Sequence, residues 1–287
     1  MFLILSILCS SLIFVIFKVF NAHKVNTLQA IVVNYYTACI IGFYNYDAPI
    51  SVIKIIDSDW FIGALVLGIL FISIFNVMAL TTQKNGLSVA SVASKMSFAI
   101  PIIFGLYTYN ETLNIQKGIG IILALVSVYL ACLKAKQTAH ISLKNFTLPL
   151  LLFLGSGVID TSIKYIEDRY LNDNGIPIFS ATVFLSAGLI GLTLLGVKAI
   201  KHGFNFSYKS IIGGMVLGFI NYYSIYMLLK ALHMPSLESS VVFTINNVAI
   251  VMLSTLLGLV FFKERLSQKN CLGIGLAIIS IVLVTFA

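Results

Sequence analysis

Long apolar runs separated by short polar breaks occupy almost the whole chain. Ten of them reach or approach the roughly 20 residues that a helix needs to cross a bilayer: 2–20, 27–46, 60–83, 86–108, 114–134, 147–166, 176–198, 210–232, 236–262 and 268–286. The longest polar connection, KAKQTAHISLK at 134–144, falls near the midpoint. The pattern therefore predicts an all-α integral membrane protein with ten transmembrane helices in two five-helix halves: residues 1–136, a linker at 137–145, and residues 146–287. The first run starts at Phe2 with no basic stretch before it and no small-residue cleavage motif after it, so it is expected to be a first helix and not a cleaved signal peptide. Pro149, Pro177 and Pro235 are expected at or near helix starts, where a missing N–H costs little. Pro101 lies inside its run and should kink the helix or open its hydrogen-bond ladder.

That fourth run, Gly86 to Glu111, also carries Lys95 near its middle. A cation at such depth costs about 2.5–3.5 kcal/mol on insertion scales, and is tolerated where it faces a polar interior. Lys95 shares a helical face with Ser88 and Ser91, which gives one side of the run a polar stripe.

The two halves can be laid on each other. At an offset of 153 residues, Glu111, Leu113, Gly120, Leu123, Ala124, Ser127 and Leu130 meet Glu264, Leu266, Gly273, Leu276, Ala277, Ser280 and Leu283. At 150, Gly63, Leu67 and Gly68 meet Gly213, Leu217 and Gly218; at 146, Ser10 and Lys18 meet Ser156 and Lys164. An odd number of helices per half makes the second half enter the membrane in the opposite sense, so the halves are expected to form an inverted repeat. Carriers of that build place their substrate near the midplane, at the interface of the repeats.

Pro101 with Glu111-Thr112-Leu113 and Gly118-x-Gly120, then Glu264-Arg265-Leu266 with Gly273-x-Gly275, resembles the drug/metabolite transporter superfamily, in its EamA-type bacterial branch. The likeness runs from Phe2 to Phe286. It implies a secondary transporter or exporter of small metabolites in the bacterial inner membrane, with a central cavity lined by both halves. Ser254 stands where the second half would match Pro101, so the ninth span is expected to lack the kink of the fourth.

Composition agrees with the span pattern: 59% of 287 residues are hydrophobic, 10% are charged, and mean hydropathy is +1.03. The net charge of +8 sits mainly in short connections, so it reports topology and not nucleic acid. Twelve of the 18 Lys and Arg fall in odd-numbered connections and five in even ones, which would place both termini outside, whereas the family resemblance implies cytosolic termini. Cys9, Cys39, Cys132 and Cys271 show no paired spacing, and His23, His140, His202 and His233 lie in connections or at a span end, so neither a disulfide framework nor a metal site is expected. No cofactor motif, phosphate-cradling loop or hydrolase signature occurs; an enzyme is not expected, and any pumping must draw on a proton, an ion or a counter-substrate.

The candidate substrate-binding residues are Lys95, Ser91, Asn246, Asn247, Tyr222, Tyr226, Asn34 and Asn76. Asn246 and Asn247 fall close to the repeat counterpart of Lys95, although amides and phenols can equally hold helices together. Asp160, Lys164 and Lys18 are candidates for coupling. Asp160 and Lys164 stand at i, i+4 with an ion pair in reach, while Lys18 and Lys164 can also snorkel to the interface. Glu111 and Glu264 are expected to stabilise the N-terminus of the helix that follows each, and Gly214-x-x-x-Gly218 to form a close-packing face. Intramembrane cations outnumber the acid, which favours an anionic or zwitterionic solute such as an amino acid. A lipid-headgroup flippase, a multidrug or cation exporter, and a passive channel remain open, as does monomer or homodimer.

Overall fold

The computed structural model describes residues 1–46, 49, 51–108, 114–131, 133, 143–170, 175–203, 207–232 and 239–286. Among the described residues twelve helices follow one another: α1 Phe2–Ala22, α2 Thr27–Tyr44, α3 Val52–Ile56, α4 Phe61–Asn85, α5 Leu87–Met96, α6 Ala99–Thr108, α7 Ile115–Ala131, α8 Leu143–Tyr170, α9 Ile176–His202, α10 Tyr208–Leu232, α11 Ser239–Phe262 and α12 Gln268–Thr285. Among the described residues nine segments are long and apolar enough to cross a membrane, with α5 and the start of α6 forming one of them, and α7 is a shorter tenth. This is an all-helical, multi-pass integral membrane protein with the ten-helix plan predicted from the apolar runs.

The fourth span is broken. Pro101 has no N–H to return to Ser97, so the Ser97 carbonyl accepts from Ile100 at 2.9 Å, the Ser97 hydroxyl donates to the Ser94 carbonyl at 2.6 Å, and a turn at Ser97–Phe98 divides α5 from α6. Ser254, the counterpart of Pro101, lies in the unbroken α11 and donates to the Val251 carbonyl at 3.1 Å. Pro177 takes the first turn of α9 as expected, but Pro149 does not stand at a helix start. Helix α8 begins at Leu143, four residues before the predicted boundary, and encloses Pro149. The apolar run marks only the lipid-depth part of that helix, while its first turn is built from Leu143, Lys144 and Asn145. Glu111-Thr112-Leu113, Cys132, His140, His233, Pro235 and most of the 137–145 linker lie outside the described residues.

The chain folds as two compact units. One comprises Met1–Val19, Val77–Val158 and Tyr223–Ala287; the other comprises Phe20–Asn76 and Ile159–Tyr222. Each draws on both sequence halves, and the boundaries fall inside α1, α4, α8 and α10. In the first unit, Val92 and Met96 of α5, Ala124 and Val128 of α7, Val251 of α11 and Ala277 and Ile281 of α12 form a core. Helices α7 and α12 run antiparallel at small residues. A methyl group at Gly120 would meet Val284 and, at 3.3 Å, the Ser280 carbonyl, and one at Gly273 would stand 2.9 Å from the Ser127 carbonyl. The Ser280 hydroxyl donates to the Gly120 carbonyl at 2.6 Å.

In the second unit α2 and α9 pair antiparallel, with Gly42 on Ala181, Gly188 on Tyr36 and Gly191 on Val32. The Tyr35 hydroxyl donates to the Phe71 carbonyl at 2.8 Å, and the Tyr35 ring stacks on Phe184. The expected glycine face of α10 packs on the backbone of α2. A methyl at Gly218 would stand 2.6 Å from the Asn34 carbonyl oxygen. Backbone cannot yield as a side-chain tip can, so Gly218→Ala is expected to cost about 1–3 kcal/mol through overpacking. Thermal melts in detergent check this, with Gly196→Ala, where nothing lies within 4 Å, as the silent control.

Candidate functional site

Helix α5 starts at a disadvantage. Its N-cap is Gly86, which has no side chain to accept from the first backbone N–H groups, and these have no intrahelical partner. The acceptor comes from elsewhere in the first unit: one carboxylate oxygen of Glu264 accepts from the Leu87 N–H at 2.7 Å, and the other accepts from the Ser88 N–H at 3.4 Å and the Ser88 hydroxyl at 3.2 Å. A negative charge at this end also complements the helix dipole.

The same carboxylate pairs with Lys18 of α1 at 3.4 Å, and their side chains are only 11% and 22% exposed. Lys18 Nζ additionally donates to the Thr82 carbonyl of α4 at 3.4 Å. Two glycines make room for the carboxylate. A methyl at Gly86 would stand 2.7 Å from one oxygen, and a methyl at Gly258 would stand 2.7 Å from the other. Lys263, at φ 50°, turns the chain after α11, and the Glu264 N–H returns to the Gly258 carbonyl at 3.0 Å.

Glu264 therefore does not cap the helix that follows it, as its place in the sequence suggested. Helix α12 carries its own capping box, in which Ser267 and Asn270 satisfy each other's backbone N–H groups. The Asn270 amide also donates to the carbonyls of Ala131 and Leu133, each at 2.8 Å, and closes the end of α7. Around the Lys18–Glu264 pair lies a cavity of about 240 Å³, whose lining includes Lys84, Asn85, Arg265 and Asn270. Lys84 and Gly258 were not singled out by the sequence pattern, and Arg265 and Gly86 entered only as a motif member and as the start of the fourth run. Their only signal was a basic residue beside each junction and a glycine at each approach.

Lys95 is half-buried on α5, one residue before that helix ends, and Ser91 is buried with its hydroxyl donating to the Ser88 carbonyl at 3.0 Å. Asn246 is buried on α11, and its side-chain oxygen is 3.3 Å from the Ser6 hydroxyl, which also donates to the Ser224 carbonyl at 2.8 Å. Asn247 is half-buried. The Tyr226 ring stands edge-on to Tyr223 and lies 5.4 Å below Lys230 Nζ. These residues and Lys18 all belong to the first unit.

Asn34, Asn76, Tyr222, Asp160 and Lys164 belong to the second unit. Asn34 is buried and accepts from the Asn221 amide at 3.3 Å, while the Asn76 amide returns to the Ile72 carbonyl of its own helix at 2.7 Å. Tyr222 is buried, whereas Asp160 and Lys164 are exposed. Among the described residues no group of His, Cys, Asp or Glu is placed to hold a metal ion, and Cys9, Cys39 and Cys271 are free thiols.

Residues 1–133 match the EamA-like transporter family. A protein of Haemophilus influenzae, described only as an uncharacterized protein, is 30% identical over 279 residues, spanning 95% of this chain and 93% of its own length. One crystal structure superimposes over 99% of this chain and 95% of its own with a TM-score of 0.63. At 13% identity that likeness concerns the fold alone.

Proposed function

The chain belongs to the EamA-like transporter family, and on that premise we propose that it is a secondary-active carrier, resident in a bacterial inner membrane, that moves a small polar metabolite by alternating access. The solute is an amino acid or another zwitterionic or anionic compound. Residues 1–136 and 146–287 act as the two repeats, in inverted sense, and the driving gradient is a proton or a counter-substrate. The carrier works as a monomer or homodimer.

One observation carries the reading. The fourth span is discontinuous at Ser97–Phe98, and Lys95 stands two residues before the break. Discontinuous helices are where secondary transporters hold their solutes, and an intramembrane cation is kept for a function or a partner. Ser91, Asn246, Asn247 and Tyr226 belong to the same unit and supply polar contacts without a charge penalty. Asn34, Asn76 and Tyr222 serve as lining groups, and Asp160, Lys164 and Lys18 as coupling groups; each is testable in the same assay.

That assay is counterflow in proteoliposomes, with labelled amino acids, organic anions and a cationic dye. Saturable exchange of an amino acid or organic anion, lost in Lys95→Gln while the variant keeps the parent's melting temperature, is the expected result. Exchange of the dye alone, with no competition from amino acids or organic anions, sinks the proposal and brings forward a cation exporter.

A further inference from the structure

The cavity at the N-terminal end of α5 has a charge imbalance that folding does not use. Among the described residues four charged side chains line it, Lys18, Lys84, Arg265 and Glu264, for a net of two positive charges. The one carboxylate is already committed to Leu87, Ser88 and Lys18. Lys84 and Arg265 form no ion pair with any described residue. The Asn270 amide hydrogens are spent on the carbonyls at the end of α7, so the lining offers cationic donors and little else that is free.

We propose that this cavity is a binding site for a phosphate group, held by Arg265 and Lys84 with Lys18 as the third cation in its lining. A phosphate monoester carries about −1.5 to −2 at pH 7, which cancels the excess of two, and its three terminal oxygens suit three cationic donors. A carboxylate would leave one positive charge over. The guanidinium fork of Arg265 matches two phosphate oxygens at once, while the ammonium groups act as mobile point charges. At about 240 Å³ the space is below the roughly 300 Å³ at which drug-sized pockets begin, and so fits a headgroup or a small phosphorylated metabolite.

The same chemistry has two sources, a free phosphate monoester and the phosphodiester of an anionic lipid, which basic pockets at the ends of transmembrane helices also attract. Charge balance favours the monoester. A bound phosphate shares Lys18 with Glu264, and so weakens the tie from α1 to the α11–α12 junction when occupied. The site does not include Lys95; it shares Lys18 with the coupling groups proposed above, and its test reads binding and not transport.

Binding is measured directly on the full-length protein in nanodiscs of phosphatidylcholine. Thermal stability is followed against inorganic phosphate and glycerol phosphate, with chloride at equal ionic strength as reference. Phosphate is expected to raise the melting temperature where chloride does not, and Lys84→Gln with Arg265→Gln, both on exposed side chains, to weaken the apparent affinity at least tenfold while leaving the unliganded melting temperature in place. Glu264→Gln, which removes the competing charge, is expected to tighten it. In nanodiscs containing phosphatidylglycerol, loss of the free-phosphate response together with lipid retained on the parent but not on the double variant assigns the site to a lipid phosphodiester; an unchanged response assigns it to the soluble monoester. Phosphate no better than chloride in both lipids with no lipid retained, or equal binding by the double variant, overturns the proposal.

Discussion

Glu264→Ala is expected to lower the unfolding free energy by about 3–5 kcal/mol, the cost of removing one partner from a largely buried ion pair. The change strips the acceptor from the first N–H groups of α5 and leaves Lys18 without its counter-charge. Glu264→Gln should cost less, because its amide oxygen still accepts from Leu87, although the charge is lost and the amide nitrogen cannot accept from Ser88. Lys18→Met should also cost less, since Glu264 keeps its donors from Leu87 and Ser88. Denaturant unfolding of the purified protein orders the three, and a double-variant cycle between Lys18 and Glu264 isolates their coupling. A Glu264→Ala protein within about 0.5 kcal/mol of the parent, the range of ordinary surface changes, would show that the staple is not formed.

Gly86→Ala attacks the same staple from the backbone. Gly86 sits at φ 108° and ψ 165°, in a region that side chains rarely enter, and strain there costs about 1–3 kcal/mol. Its new methyl would also press on the Glu264 carboxylate at 2.7 Å and push it off the Leu87 N–H, a loss of the size of a helix cap, about 0.5–2 kcal/mol. The combined effect is expected at about 2–5 kcal/mol. The two parts separate by background. In a Glu264→Ala protein the strain remains and the clash is gone, so Gly86→Ala must cost less there than in the parent. Equal costs in both backgrounds would mean that the methyl and the carboxylate never meet.

The ten spans were legible because apolar length is a local property and a bilayer demands it. The break in the fourth span was legible for a similar reason: Pro101 removes a specific N–H, and the turn lies where that hydrogen bond would have formed. Pro149 misled because a boundary read from hydropathy stops at the edge of the apolar run, while α8 continues through Leu143, Lys144 and Asn145. Glu264 was legible as a junction acid but not as the partner of Leu87, which lies 177 residues away. Ser267 with Asn270 three residues on, and Gly86 at the start of its run, were local cap signals, but no local pattern reports that the acid of one junction fills the bare cap of another. Of the candidate solute residues, Lys95 was visible as a charge in an apolar run. The cavity beside Glu264 was not, because Lys18, Lys84 and Arg265 come from the ends of three separate segments.

The seam between α7 and α12 uses one patch twice. Gly120 approaches the Ser280 carbonyl and Gly273 approaches the Ser127 carbonyl, and each partner of the first contact lies 153 positions from the matching partner of the second. A contact that returns to itself when its two sides are exchanged is isologous, the kind on which two-fold homodimers are built. A methyl group added at either glycine therefore meets the same kind of obstacle, a carbonyl of the facing helix, at opposite ends of the seam.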